Sequence, residues 1–337
     1  MLADAALAVM WVGLTCYALF GGADFGAGVW DLLAGGAERG RARRALIEHS
    51  IGPIWEANHV WLIFVVVLLW SAFSPVFAAV MSTLYIPLTL AALGIIARGA
   101  AFAFRKASTE LWQQRLFGAC FAVSSLLTPF FLGTVAGGVA SGRVPPGLAT
   151  GDVLTSWLNP TSLLGGVLAV LTCAHLAAVY LCADAHREGR RELAEAFTRD
   201  AVISGLVAGA VALAGIAVLH ADASELFHGL THRALPLVVV SAVAGVTGLV
   251  LLARHRFVAA RAAAAVAVAA ILWAWGAAQY PALLVGSTTV SQAAANTSVL
   301  SAVLWVLGVG ALLLVPSLWL LYATFQRGTS DEHSASH

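Results

Sequence analysis

Nine long apolar stretches govern what this chain can fold into. They fall at residues 4–30, 54–73, 76–100, 116–140, 161–183, 201–219, 234–253, 257–277 and 297–323. Each is near or above the roughly 20 residues that carry a helix across about 30 Å of hydrocarbon. A bilayer offers no water to unpaired backbone groups, so such runs fold as helices. A β-barrel is excluded, because its strands would be shorter and would alternate apolar with polar residues. Of the 337 residues 60% are hydrophobic and 10% charged, and the mean hydropathy of +0.88 is far from that of a soluble domain. The first run lacks a basic start and continues through Gly21 to Gly28 with no A-x-A cleavage pattern. It reads as a retained helix and not as a signal peptide.

Basic residues gather in alternate loops, on one side of these runs. One side receives Arg39, Arg41, Arg43, Arg44, Arg98, Arg105, Lys106, Arg115, Arg187, Arg190, Arg191, Arg199, Arg254, Arg256, Arg261 and Arg327, whereas the other has only Arg143 and Arg233. Lys and Arg collect in cytoplasmic loops, which predicts the N-terminus outside and the C-terminus in the cytoplasm. A net charge of +1 gives no reason to invoke nucleic acid.

The expected fold is an all-α polytopic membrane protein, with nine transmembrane helices as two four-helix bundles plus one peripheral helix. By helix counting, residues 1–140 form the first bundle, 141–160 an outer connector containing Pro145-Pro146-Gly147, and 161–278 the second bundle. Residues 279–327 supply an outer loop and the ninth helix, and 328–337 a polar cytoplasmic tail expected to be disordered. Cys16, Cys120, Cys173 and Cys182 lie within or at the ends of helices with no C-x-x-C among them, and read as packing residues rather than disulfide partners or metal ligands. His220, His228 and His232 cluster in the outer segment from Leu219 to His232 and read as solvated loop residues. No phosphate-binding glycine motif is present.

An ionisable side chain inside hydrocarbon costs several kcal/mol, so each one asks for a partner or a function. Asp24 lies in the glycine-rich end of the first run, Glu56 in the second, Arg98 at the end of the third and His175 in the fifth. Asp24 and Glu56 read as the only carboxylates at membrane depth. On a helix, Trp55, Glu56, Asn58 and His59 are spaced three and four apart, which gathers polar groups on a face that must meet protein. Pro53, one turn earlier, frees a carbonyl and invites water. Two readings stand side by side. Asp24 and Glu56 form part of a proton path from the cytoplasm, or they are fixed ion pairs, for example with Arg98, holding helices in register. His59 and His175 are the only histidines near membrane depth. Nothing in their spacing pairs them as haem ligands, so they read as hydrogen-bonded structural residues.

Three stretches carry a resemblance: Gly22-Ala23-Asp24-Phe25-Gly26-Ala27-Gly28, Ile51 to Leu62 around Trp55-Glu56-Ala57-Asn58-His59, and Arg98-Gly99-Ala100-Ala101-Phe102-Ala103-Phe104-Arg105. Weaker echoes follow in Leu158-Asn159-Pro160 and Tyr280-Pro281. The chain resembles subunit II of the cytochrome bd-type quinol oxidases over nearly its whole length. The resemblance implies a haem-free subunit beside a similarly folded subunit I, which holds haems b and d, oxidises quinol and reduces dioxygen to water in the bacterial cell membrane. It implies a proton path through the positions of Asp24, Trp55, Glu56, Asn58 and His59, with Arg98 as an ion pair or packing residue. No metal site is expected in this chain. A bound structural quinone, lipids and a small single-helix accessory subunit are further partners known in the family. Two departures stand out: Ala103 replaces a usual acidic residue, and His59 stands where Gln is common. A secondary transporter, with broken helices around a midplane site, and a stand-alone b-type cytochrome are the competing readings.

Overall fold

The computed structural model describes residues 1–36, 38–51 and 55–334, and among these the side chains of all but 51, 55–57, 106, 315, 318–319 and 321–334. The fold is all-α and polytopic, apart from a short hairpin of Ala282–Leu284 (β1) with Thr288–Thr289 (β2). Among the described residues eight helices are long and apolar enough to cross a membrane, and a bent pair counted as one span brings the number to nine.

The first span is Leu2–Cys16 (α1), a π-helical turn at Tyr17–Gly21, and Gly22–Leu32 (α2). A short polar helix, Arg41–Ile51 (α3), occupies part of what reads from sequence as an inter-span loop. Trp55–Ala72 (α4) leads into Ser74–Thr83 (α5) through a 120° bend. The third span, Tyr85–Ala107 (α6), starts later than expected. The run at 76–100 is therefore not one helix. Pro75 sits in the first turn of α5, where its missing N–H costs nothing but where it cannot continue α4. A second break follows at Leu84 (φ −102°, ψ 26°).

Leu111–Ala140 (α7) completes the first half, and residues 141–159 connect it to Pro160–Arg187 (α8). Asn159 caps α8, its side chain accepting from the Ser162 amide at 2.9 Å, with Pro160 at the first helical position. Arg191–Asp222 (α9) follows, then Ser224–Thr231 (α10), Leu235–Ala253 (α11), Phe257–Gln279 (α12), Val290–Ala293 (α13) and Thr297–Ser334 (α14). Two expectations are corrected here. His220 and His228 lie on α9 and α10, with His232 capping α10, and not on an irregular loop. The segment expected to be a disordered tail instead continues α14 as far as Ser334.

Helix α8 lies at the centre. Leu176, Ala177, Ala178, Val179, Leu181 and Cys182 are buried, and α8 packs against α2, α7, α9 and α12. The approach of α2 is set by glycine. A Cβ on Gly26 would lie 1.8 Å from the Cys173 carbonyl oxygen, and one on Gly28 would lie 2.2 Å from Ser125 Cβ. Lipid supplies no hydrophobic drive between helices, so such backbone contact is what packing rests on. Helix α14 is peripheral, touching α1 and α4 and exposing Trp305 and Leu312 as a lipid-facing surface would. All four cysteines are free.

Candidate functional site

The most deeply buried charges form one cluster where α2, α6 and α7 meet. Arg98, the largest fully buried side chain, is 1% exposed, and Asp24 is 4% exposed. The guanidinium and carboxylate form a bidentate pair, with Arg98 Nη2 donating to Asp24 Oδ1 at 2.7 Å and Nη1 to Oδ2 at 3.0 Å. Nη2 also reaches the Asp24 carbonyl at 3.1 Å, and Nε donates to Ser125 Oγ at 2.8 Å. The rings of Phe25 and Phe121 lie against the guanidinium at 5.0 and 4.8 Å, which adds cation–π attraction. Each nitrogen of this guanidinium donates at least one hydrogen bond, the kind of arrangement that lets a charge pair survive burial.

Beside this pair the first span makes its π-helical turn. Such a turn leaves a carbonyl without its usual donor, and Asn58 Nδ2 on α4 donates to the Phe20 carbonyl at 3.4 Å. The Tyr17 hydroxyl, on the same turn, is buried with no hydrogen-bond partner among the described residues. His59 packs its ring edge-on against Phe25 at 6.0 Å. His59 and Arg98 therefore both pack against Phe25, the residue after Asp24, while Asn58 reaches the preceding turn at Phe20. The side chains of Trp55 and Glu56, expected on the same path, lie outside the described residues, as does Pro53. His175 stands apart from this group, its Nδ1 paired with the Ala201 carbonyl at 3.0 Å.

Sequence reading missed a second rung below the first. Asp31, one heptad beyond Asp24 on α2, is 5% exposed. It pairs with Arg105, one heptad beyond Arg98 on α6, at 3.2 Å, and with Arg44 on α3 at 3.6 Å. Arg105 also reaches Glu48 at 3.3 Å. Asp200 on α9 is likewise buried and holds Arg43 at 2.7 Å, with Arg43 lying over the Phe197 ring at 5.1 Å. Asp31 and Asp200 thus join Asp24 as carboxylates taken out of water. The signal for the lower rung was the equal seven-residue spacing of Asp24 to Asp31 and Arg98 to Arg105.

At the opposite end, Asp222 closes a separate clamp. It receives Arg143 Nη2 at 2.5 Å and Nη1 at 3.1 Å, together with the Thr161 amide at 3.1 Å and hydroxyl at 2.6 Å. The clamp ties the connector and the start of α8 to the end of α9. Among the described residues no three of His, Cys, Asp and Glu converge as a metal-binding group.

The fold and the buried charge cluster define a multi-pass helical membrane protein whose first span is ion-paired to its third. The family model for cytochrome bd terminal oxidase subunit II matches residues 2–325, and the chain belongs to that family. Cytochrome bd ubiquinol oxidase subunit 2 of Bacillus subtilis (strain 168) is 32% identical over 168 residues, 50% of this chain and 48% of that one. Cytochrome bd-I ubiquinol oxidase subunit 2 of Escherichia coli (strain K12) is 28% identical over 172 residues, 49% of this chain and 44% of that one. In these alignments the chain spans about half the length of its curated relatives. The structure of the bd oxidase from Geobacillus thermodenitrificans is similar in fold over 96% of this chain and 98% of the matched chain, with a TM-score of 0.75 and 26% identity.

Proposed function

We propose that this chain is the haem-free second subunit of a quinol:dioxygen oxidoreductase in a bacterial cell membrane. It supports a haem-bearing subunit I and contributes a route for protons taken up from the cytoplasm. The observation that carries this reading is the family match across residues 2–325. The two-bundle division, with its boundary in the connector at 141–160, is part of the same proposal. So is the orientation, with the N-terminus outside, which rests on the basic residues crowded at one end of the helices.

Within the proton route the residues take different parts. Asp24 stands on the path with both carboxylate oxygens held by Arg98. Glu56 is the group that accepts and releases protons, and Trp55 belongs to the same path. Asn58, the freed turn of the first span and the buried Tyr17 hydroxyl are polar groups on which a water chain can form. His59 stands beside Phe25 and contributes a polar ring to the same wall.

Haems b and d belong, on this reading, to the partner. His59 and His175 have separate surroundings, one against Phe25 and the other bonded to α9, which supports a structural role for each. The test is to extract the complex from its native membrane and measure subunit content and haem per chain. Co-purification with a haem-rich partner is expected, with no Soret band from this chain expressed alone. His59→Ala and His175→Ala should leave the haem content of the complex unchanged, and loss of a haem in either variant would refute the haem-free assignment.

A further inference from the structure

The charge ladder ends in a cavity of about 720 Å³ at the arginine-rich end of α2, α3, α6 and α7. Its lining includes Arg41, Arg44, Arg105 and Arg115 against only Asp31 and Glu48, a surplus of two positive charges. The two acids are already engaged, Asp31 by Arg105 and Arg44 and Glu48 by Arg105. Arg44 is committed further, its guanidinium donating to the carbonyls of Gly35 and Gly36 at 2.5 and 3.3 Å. Arg41 and Arg115 have no ion-pair partner among the described residues and are exposed at the cavity. They present two guanidinium groups outside any ion pair among the described residues, and guanidinium is the side-chain group best matched to phosphate oxygens.

The cavity also has an apolar side. Leu32 and Leu111 form part of its lining, and Ala119 and Ala122 extend it along α7. Leu111, at the rim, is 69% exposed, and just outside it α7 exposes Trp112 at 63% and Leu116 at 56%. A solvent-facing helix start would not carry such a surface, whereas an indole beside arginines marks the level of lipid headgroups. Arginines facing inward, with apolar side chains and a tryptophan facing the bilayer, suit a ligand with an anionic head and a hydrocarbon tail.

We infer that this cavity binds the headgroup of an anionic glycerophospholipid, with Arg41 and Arg115 on the phosphate and an acyl chain along the Ala119–Ala122 wall. The surplus of two charges fits a headgroup that carries two phosphodiester groups, as that of cardiolipin does. The site depends only on membrane residence and not on the proton route. If the orientation proposed above is right, it draws on the cytoplasmic leaflet.

The test uses the complete complex extracted from its native membrane, delipidated in detergent and supplied with cardiolipin, phosphatidylcholine or inorganic phosphate. Bound lipid is counted by native mass spectrometry and the melting temperature is recorded in parallel. The wild type should keep a cardiolipin that phosphatidylcholine does not replace, and should melt higher with it. The double variant Arg41→Gln/Arg115→Gln should lose that lipid and its stabilisation while melting like the delipidated wild type. Because both side chains are exposed and unpaired, the variant's fold should be intact. Equal cardiolipin retention in the variant would overturn the assignment. Stabilisation by phosphate as large as that by cardiolipin would show a soluble-anion site and overturn it equally.

Discussion

Arg98 and Asp24 meet as a buried bidentate pair, 2.7 and 3.0 Å long, and Arg105 and Asp31 repeat the relationship one heptad further at 3.2 Å. Both pairs are separated by 74 residues. Such a match requires the first and third spans to run in the same direction past α7. The upper rung excludes solvent and the lower one opens onto the arginine-lined cavity, so one ladder leads from surface charge to buried charge.

Removing one member of the upper rung should destabilise strongly. A charge left alone in a dry site costs on the order of 3–5 kcal/mol, whereas removing both partners together costs far less. Arg98→Gln and Asp24→Asn should each lower the yield and melting temperature of the assembled complex, and Asp24→Leu/Arg98→Met should recover part of the loss. Single variants that melt like the wild type would show that the pair holds nothing together.

Gly26 offers a purely steric prediction. Its Cβ would fall 1.8 Å from the Cys173 carbonyl oxygen, while one on Gly245 of α11 would meet nothing within 4 Å. Overpacking costs about 1–3 kcal/mol where side chains can yield, and here the obstacle is backbone. Gly26→Ala should prevent stable assembly or sharply lower the melting temperature, and Gly245→Ala should be neutral. Equal behaviour of the two would contradict the close approach of α2 to α8.

The connector at 141–159 carries a pH-dependent element. Asp152 Oδ1 accepts from the amides of Thr155 at 2.7 Å and Leu154 at 2.9 Å, and these bonds hold its carboxyl below the ordinary value of 3.8. A depressed folded-state value means that the stabilisation is present above 3.8 and disappears as pH falls through the lower, folded value. Amide exchange at Leu154 and Thr155, corrected for intrinsic rates, should therefore lose protection only in acid below that range. Asp152→Ala should lose it at every pH. Protection unchanged by the substitution would remove the carboxylate from the account.

Much of this architecture was legible in the sequence because hydropathy over a span is a local property. Asn159-Pro160 announces the start of α8 by capping and proline chemistry alone. Other features depend on what the chain meets in space. The π-helical turn at Tyr17–Gly21 is built of ordinary apolar residues and glycine with no signature of its own. Asp31 looks like a solvated acid at a span end until Arg105 and Arg44 are placed beside it. The span expected at 76–100 failed because Pro75 and the break at Leu84 act on backbone geometry, which an average of hydropathy does not register. Asp24 and Arg98 were each marked as candidates by sequence, but their bidentate geometry and the part played by Ser125 belong to the folded state.

Proton uptake is where the functional proposal is most exposed to refutation. Dioxygen reduction consumes protons at a buried site, and Glu56 on α4, one helical turn from the Asn58 and His59 cluster, is the residue assigned to deliver them. Glu56→Gln keeps the size and hydrogen bonding of the side chain while abolishing its titration. The decisive measurement is quinol-driven oxygen consumption by the purified Glu56→Gln complex, at matched haem content and subunit stoichiometry. A haem-replete, assembled oxidase with turnover lowered about tenfold or more is the predicted result. Assembly with turnover at the wild-type rate would contradict the relay, and failure to assemble would make Glu56 a structural residue.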